Sequence, residues 1–289
     1  MNQDLKGLGV ALVTPFLENG QIDFEGLTRL VKHCISGNVD YLVVLGTTAE
    51  TATLSNSEKE QVISHINKVN NGQIPMVIGI GGNNTQEIIN QVKQVDTSIF
   101  TAVLSVVPMY VKPSQKGIEA HYTAIADHSP LPVLLYNVPS RTGVNMQAQT
   151  TANLALHPNI IGIKEATGDF SQVLAVIKSV PQDFLVISGE DLLALPLITA
   201  GGHGVISVVG QAFPEAFSSI VNNGLAAKNT TAYNTLYKYT AAIDNAFAEG
   251  NPVGIKATLN ALEICNTTVR LPLVEASTGL KQAIQDFIK

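Results

Sequence analysis

The hexapeptide Ile160-Ile161-Gly162-Ile163-Lys164-Glu165 carries four apolar or small residues and then two charges. So short a run, rich in β-branched residues, reads as a strand covered on both faces in a parallel sheet. Seven similar runs lie around it, at 9–13, 41–45, 76–80, 100–107, 133–136, 185–187 and 205–209. With 160–163 they make eight.

The segments between them change period. Phe24, Leu27, Leu30, Val31 and Cys34 share one helical face, as do Val62, Ile63, Ile66 and Val69, and later Ile88, Ile89, Val92 and Val95. Asp23, Ser55 with Glu58 three later, Asn84 with Glu87 three later, and Asp169 stand where N-caps belong. Eight strands alternating with helices predict either a closed (β/α)8 barrel or a doubly wound open sheet. The even crossovers favour the α/β TIM barrel, and no dinucleotide glycine fingerprint follows the first strand. After residue 209 the pattern turns helical throughout, at 212–225, 229–248, 253–265 and 274–288. The expected organisation is a barrel over 1–225 that carries the active site, followed by a C-terminal helical extension over 226–289.

Composition agrees with a large core. The chain has 289 residues, of which 45% are hydrophobic and only 14% charged, against roughly 25% charged in ordinary domains. Disorder needs the opposite balance. The net charge is −6 and no Lys/Arg cluster occurs, which argues against nucleic acid as a partner. Cys34 and Cys265 are too few for a disulfide framework and suit a reducing cytoplasm. The apolar runs at 8–17 and 192–214 resemble a signal peptide and a membrane span only in length and hydropathy. Pro15 breaks the first, and Pro196, Gly201-Gly202 and Gly210 cut the second into core-sized pieces. No membrane association is expected.

Barrel chemistry sits at the C-terminal ends of strands. Lys164 ends one such strand, in a position that should be buried. A salt bridge with Glu165 is the bland alternative, but adjacent strand residues face opposite sides. The functional reading is a Schiff-base lysine, since desolvation of an amine favours its neutral, nucleophilic form. Tyr136 ends the preceding strand at matching height, either as a proton shuttle or as a core aromatic. Thr47 and Thr48 follow the second strand and offer hydroxyls and N–H groups to a carboxylate, or simply form a turn. Arg141, in Pro139-Ser140-Arg141-Thr142-Gly143, suits bidentate carboxylate binding, or is a solvated surface charge. The six histidines show no paired spacing, so neither a metal nor another cofactor is expected.

Ala11-Leu12-Val13-Thr14-Pro15-Phe16, Gly46-Thr47-Thr48-Ala49-Glu50, Tyr136-Asn137-Val138-Pro139-Ser140-Arg141-Thr142-Gly143, Gly162-Ile163-Lys164-Glu165 and the Gly201 to Ser207 segment together resemble the dihydrodipicolinate synthase family of pyruvate-dependent class I aldolases. The resemblance implies that Lys164 forms an imine with pyruvate. It implies a proton relay of Tyr136, Thr47 and Tyr110, with Tyr110 reaching a neighbouring subunit's site. Thr47 and Thr48 would hold the pyruvate carboxylate and Arg141 that of L-aspartate-4-semialdehyde. Gly189 and Ile206 would add backbone contacts. The implied assembly is a homo-oligomer, at least a dimer and by expectation a tetramer. The implied product feeds lysine and diaminopimelate synthesis.

Rival readings are a sister aldolase, such as N-acetylneuraminate lyase or a keto-deoxy-sugar aldolase, and a non-catalytic pyruvate-binding barrel. Arg141 argues against the first, because the sugar lyases usually lack it. The intact Lys-Tyr-Thr set argues against the second. Two departures from the family are Ala49, where Gly is usual, and Met109, where a tyrosine is frequent. In family members inhibited by lysine, the inhibitor's site uses positions that here hold Asn56, Lys59, Asn83, Glu87 and Met109. Asn83 and Glu87 are retained. Lys59 sets like charge beside a lysine ligand and Met109 lacks a hydroxyl, so weak or absent inhibition is expected.

Overall fold

The computed structural model describes residues 5–289. Its strands are β1 (Gly7–Ala11), β2 (Tyr41–Val44), β3 (Met76–Gly79), β4 (Ala102–Val106), β5 (Val133–Asn137), β6 (Ile160–Glu165), β7 (Leu185–Ser188) and β8 (Gly204–Ser207). They pair in parallel in chain order, and β8 pairs back onto β1 through Gly7 opposite Gly204, closing a barrel. The expected fold class and all eight strands are therefore present.

Period-two alternation splits each strand between two cores. Tyr41, Val43, Leu134, Leu185 and Ile187 point inward and pack with one another inside the barrel. Leu42, Val44, Val133, Leu135 and Ile163 point outward, into the layer shared with the helices. That double burial is why the strands read as continuous apolar runs rather than alternating ones.

Helices α1 (Phe24–Ser36), α2 (Asn56–Asn70), α3 (Thr85–Lys93) and α4 (Gln115–His128) follow the first four strands. The short α5 (Pro139–Thr142) and α6 (Ala148–Leu154) follow β5, α7 (Phe170–Ser179) follows β6, α8 (Ala194–Thr199) follows β7 and α9 (Pro214–Leu225) follows β8. The four expected caps are in place. Asp23, Asn84 and Asp169 accept from first-turn N–H groups, and Ser55 with Glu58 forms a full capping box. Segment 192–214 resolves into α8, β8 and turns. Among the described residues, no helix is long and apolar enough to cross a membrane.

Two expectations need correction. The helix expected over 229–248 is two helices, α10 (Asn229–Lys238) and α11 (Thr240–Phe247), broken at Tyr239. The Tyr239 ring packs against Phe213 at 5.2 Å, Phe217 at 6.2 Å and Phe287 at 5.9 Å. With the ring held in that cluster, its backbone lies at φ −105°, ψ 4°, off helical values. Helices α12 (Val253–Ala261) and α13 (Thr278–Ile288) complete the chain. Secondly, Lys164 does not end its strand. β6 runs on to Glu165, because the ladder continues as Lys164 opposite Ile187 and Glu165 opposite Ser188.

Candidate active site

Lys164 and Tyr136 are direct partners in the β5–β6 ladder, in the regular stretch that follows the register shift between Val133 and Leu134. Lys164 is buried, and its Nζ stands 4.5 Å from the Tyr136 ring centroid. No hydrogen bond or ion pair reaches that Nζ among the described residues. The stem has room because residue 189 is glycine. A Cβ there would lie 3.0 Å from Lys164 Cε and 2.6 Å from Ala166 Cβ.

Glu165 turns to the opposite face, as strand alternation requires. Its carboxylate accepts from Asn137 Nδ2 at 2.9 and 3.2 Å and from Gln172 Nε2 at 3.1 Å. Asn145 bridges this cluster, accepting from Asn137 at 2.8 Å and donating to Gln172 at 2.7 Å. Burial pushes the Glu165 carboxyl up to about 7, against the pull of these donors. Asn137 and Glu165 are opposite each other one step beyond Tyr136 and Lys164. The polar clamp therefore fastens β5 to β6 directly behind the lysine–tyrosine pair.

Thr47 and Thr48 lie in a 3-10 turn, Thr47–Ala49, after β2. Thr48 is buried, and its Oγ1 accepts from Asn251 Nδ2 at 2.9 Å. The next residue but one, Glu50, adopts φ 54°. Its carboxylate takes Lys256 Nζ at 2.5 Å and the Arg270 N–H at 2.9 Å. The C-terminal helices thus hold the threonine turn from behind. Arg141 sits on α5 at the rim, and its Nη2 donates to the Asn251 carbonyl at 3.4 Å. Asp191, fully buried after β7, accepts from Ser207 Oγ and from the N–H groups of Val208 at 3.1 Å and Val209 at 3.4 Å. It ties the end of β7 to the end of β8.

Lys164, Tyr136, Thr47, Thr48, Arg141 and Gly189 line one cavity of about 1240 Å³ at the barrel mouth. That set can hold a small keto acid by its carboxylate beside an amine and a phenol, with a guanidinium left for a second acid. The same cavity runs on to Asn56, Lys59, Glu87 and Met109. Two expected residues stand apart. Ile206 is buried in the inner barrel core, not in the cavity wall. Tyr110 is 88% exposed at φ 65° and lines no part of this chain's own cavity.

Sequence reasoning missed Asn251 and Lys256 and gave Glu190, at the end of the seventh strand, no role. Asn251 lies in a Gly250-Asn251-Pro252 break between helix-spaced runs, far from any strand end. Glu190 was visible at the end of β7 beside Gly189. Lys256 stands alone among Val253, Ile255, Ala257 and Leu259, and a charge at a buried helical spacing was the available signal.

Comparison with known proteins agrees with this geometry. The family model described as the dihydrodipicolinate synthetase family matches residues 4–289. The 4-hydroxy-tetrahydrodipicolinate synthase of Flavobacterium psychrophilum is 51% identical, over 98% of this chain and 97% of its own length. That of Cytophaga hutchinsonii is 46% identical, over 96% and 94%. The crystal structure of the chloride-inhibited dihydrodipicolinate synthase of Acinetobacter baumannii, complexed with pyruvate, superposes with a TM-score of 0.95 at 37% identity, covering 98% of each chain. With its model matched along nearly the whole sequence and relatives this similar at full length, the chain belongs to the dihydrodipicolinate synthetase family.

Proposed function

We propose that the chain condenses pyruvate with L-aspartate-4-semialdehyde to give 4-hydroxy-tetrahydrodipicolinate, through a Schiff base on Lys164. The observation that carries the reading is a buried lysine amine with no carboxylate partner, set against a tyrosine at the floor of an open cavity. Lys164 Nζ adds to C2 of pyruvate and water leaves, giving an imine. The imine nitrogen is an electron sink, so a C3 proton is lost and an enamine forms. C3 then bonds to the aldehyde carbon, and the aldehyde oxygen takes up a proton. Tyr136 and Thr47 relay these protons. Finally the substrate's own amine attacks C2, the ring closes and Lys164 departs as an amine.

Thr47 and Thr48 hold the pyruvate carboxylate, with Thr48 fixed by Asn251. Arg141 holds the carboxylate of the aldehyde. Gly189 contributes a backbone group just after β7, whereas Ile206, buried in the inner core, is left without the expected contact. The partner subunit's Tyr110 completes the relay in a homo-oligomer that is at least a dimer and by this reading a tetramer. What supports this is the exposure of Tyr110 outside its own chain's cavity. The reading places the enzyme in the cytoplasm. The test is borohydride reduction in the presence of pyruvate, followed by peptide mass mapping. An adduct on Lys164 together with turnover of aspartate semialdehyde is the expected result. An adduct on another lysine, or none, overturns it.

A further inference from the structure

We infer that the Glu190 carboxylate recognises the ammonium group of the aldehyde substrate and so selects amino-acid aldehydes over their deaminated counterparts. The inference rests on the function proposed above and adds a specificity residue to it. Glu190 follows Gly189 at the end of β7. Its backbone is pinned by Ser188, whose Oγ donates to the Glu190 carbonyl at 2.8 Å and accepts from its N–H at 3.2 Å. The side chain is half-buried and lines the cavity that holds Lys164, Thr47, Thr48 and Arg141. Its carboxylate makes no hydrogen bond or ion pair among the described residues.

The other acids at this end of the barrel are already occupied. Glu50 is taken by Lys256 and Arg270. Asp191 is taken by Ser207, Val208 and Val209. Glu165 faces away, into the Asn137 and Gln172 amides. Glu190 is instead left open to the cavity, within electrostatic reach of both Lys164 and Arg141. Burial and the neighbouring Asp191 push its carboxyl up, and the two cations oppose that.

The aldehyde substrate brings a carboxylate and an ammonium. Arg141 answers the first. An ammonium carried into a half-buried cleft beside a guanidinium is unfavourable unless an anion faces it. Among the described residues, Glu190 is an unpaired carboxylate in that cleft within electrostatic reach of Arg141. A site that loses its charge partner loses the charged substrate most.

The test compares two aldehydes on Glu190→Gln. L-Aspartate-4-semialdehyde is assayed for KM. Succinic semialdehyde, which lacks the ammonium, is assayed as a competitive inhibitor. The variant is expected to raise KM for the amino aldehyde about 10- to 100-fold. The inhibition constant of succinic semialdehyde should move less than about threefold on the same scale, and borohydride trapping of pyruvate should persist. Glu190→Asp should recover part of the loss. Equal changes for both aldehydes overturn the inference. If Glu190→Gln does not trap pyruvate, the unaltered chain decides. In its pyruvate-bound form L-homoserine should inhibit more tightly than 4-hydroxybutyrate, and equal inhibition overturns the inference. If the unaltered chain turns over no aspartate semialdehyde, the proposed reaction itself falls and this inference with it.

Discussion

Among the described residues two lysines, Lys164 and Lys256, are buried, and they do different things. Lys256 on α12 is fully enclosed. Its Nζ donates to Glu50 at 2.5 Å and to the Thr268 carbonyl at 2.8 Å, 4.2 Å from the Phe16 ring centroid. Burial lowers its pKa, and the Glu50 charge opposes that. Lys164 on β6 has a tyrosine ring, no carboxylate, and an open cavity above it. Burial therefore does not mark the nucleophile. A buried amine whose charge is already matched is a tie between segments, and one without a match, facing a cavity, is available for covalent chemistry.

The largest expected effect tests the available lysine. Lys164→Ala should abolish borohydride trapping of pyruvate and with it turnover. An adduct that survives on Lys256 or Lys112 would reverse the comparison. Next comes the tie. Lys256→Met leaves the Glu50 carboxylate buried and unmatched, at a cost of roughly 3–5 kcal/mol, read as a lowered Tm. Because Glu50 follows the Thr47–Ala49 turn, KM for pyruvate should rise, while the surviving folded protein should still form the adduct on Lys164. A Tm unchanged from the parent would show that the pair contributes nothing net.

Arg141→Ala sharpens the contrast from the substrate side. It removes a bidentate partner of the aldehyde alone, at roughly 2–4 kcal/mol. kcat/KM for aspartate semialdehyde should fall accordingly while pyruvate trapping holds. If trapping falls equally, Arg141 is a structural residue anchored on Asn251.

The same contrast extends to the carboxylates, since Glu50 has a cation and Glu165 has only amides. Burial raises the Glu165 pKa from 4.5 to about 7 in the folded chain. Between those values the folded chain keeps a proton that the unfolded chain has released. This contribution to stability is complete below about 4.5 and is lost as pH rises through about 7. It is on the order of 3 kcal/mol across the window. Thermal melts of Glu165→Gln at pH 5 and pH 8 should show a weaker fall with pH than the parent. Identical slopes would mean that the carboxyl is not strained by burial. The smallest effect concerns a third lysine, Lys59, at the far end of the cavity beside Asn56, Glu87 and Met109. Added L-lysine should inhibit weakly or not at all. A steep inhibition curve in the low-millimolar range would show that Asn83 and Glu87 suffice to hold it.

The barrel was legible in the chain because its cause is local. Strands buried on both faces must be apolar throughout, and crossover helices must carry one apolar face and a cap, so spacing alone exposes eight units. Lys164, Tyr136 and Arg141 were legible for a related reason. Polar residues at or just after the ends of such runs gather at the barrel mouth, and strand alternation decides which of them face inward, as Lys164 does, and which turn away, as Glu165 does. Tertiary structure decided what spacing cannot encode. Asn251 touches Thr48 and Arg141 from 203 and 110 residues away, and Lys256 reaches Glu50 across 206. Those contacts exist only because the C-terminal helices fold back over the mouth. Whether a buried charge is matched depends on a partner distant in sequence, and that match separates the two lysines.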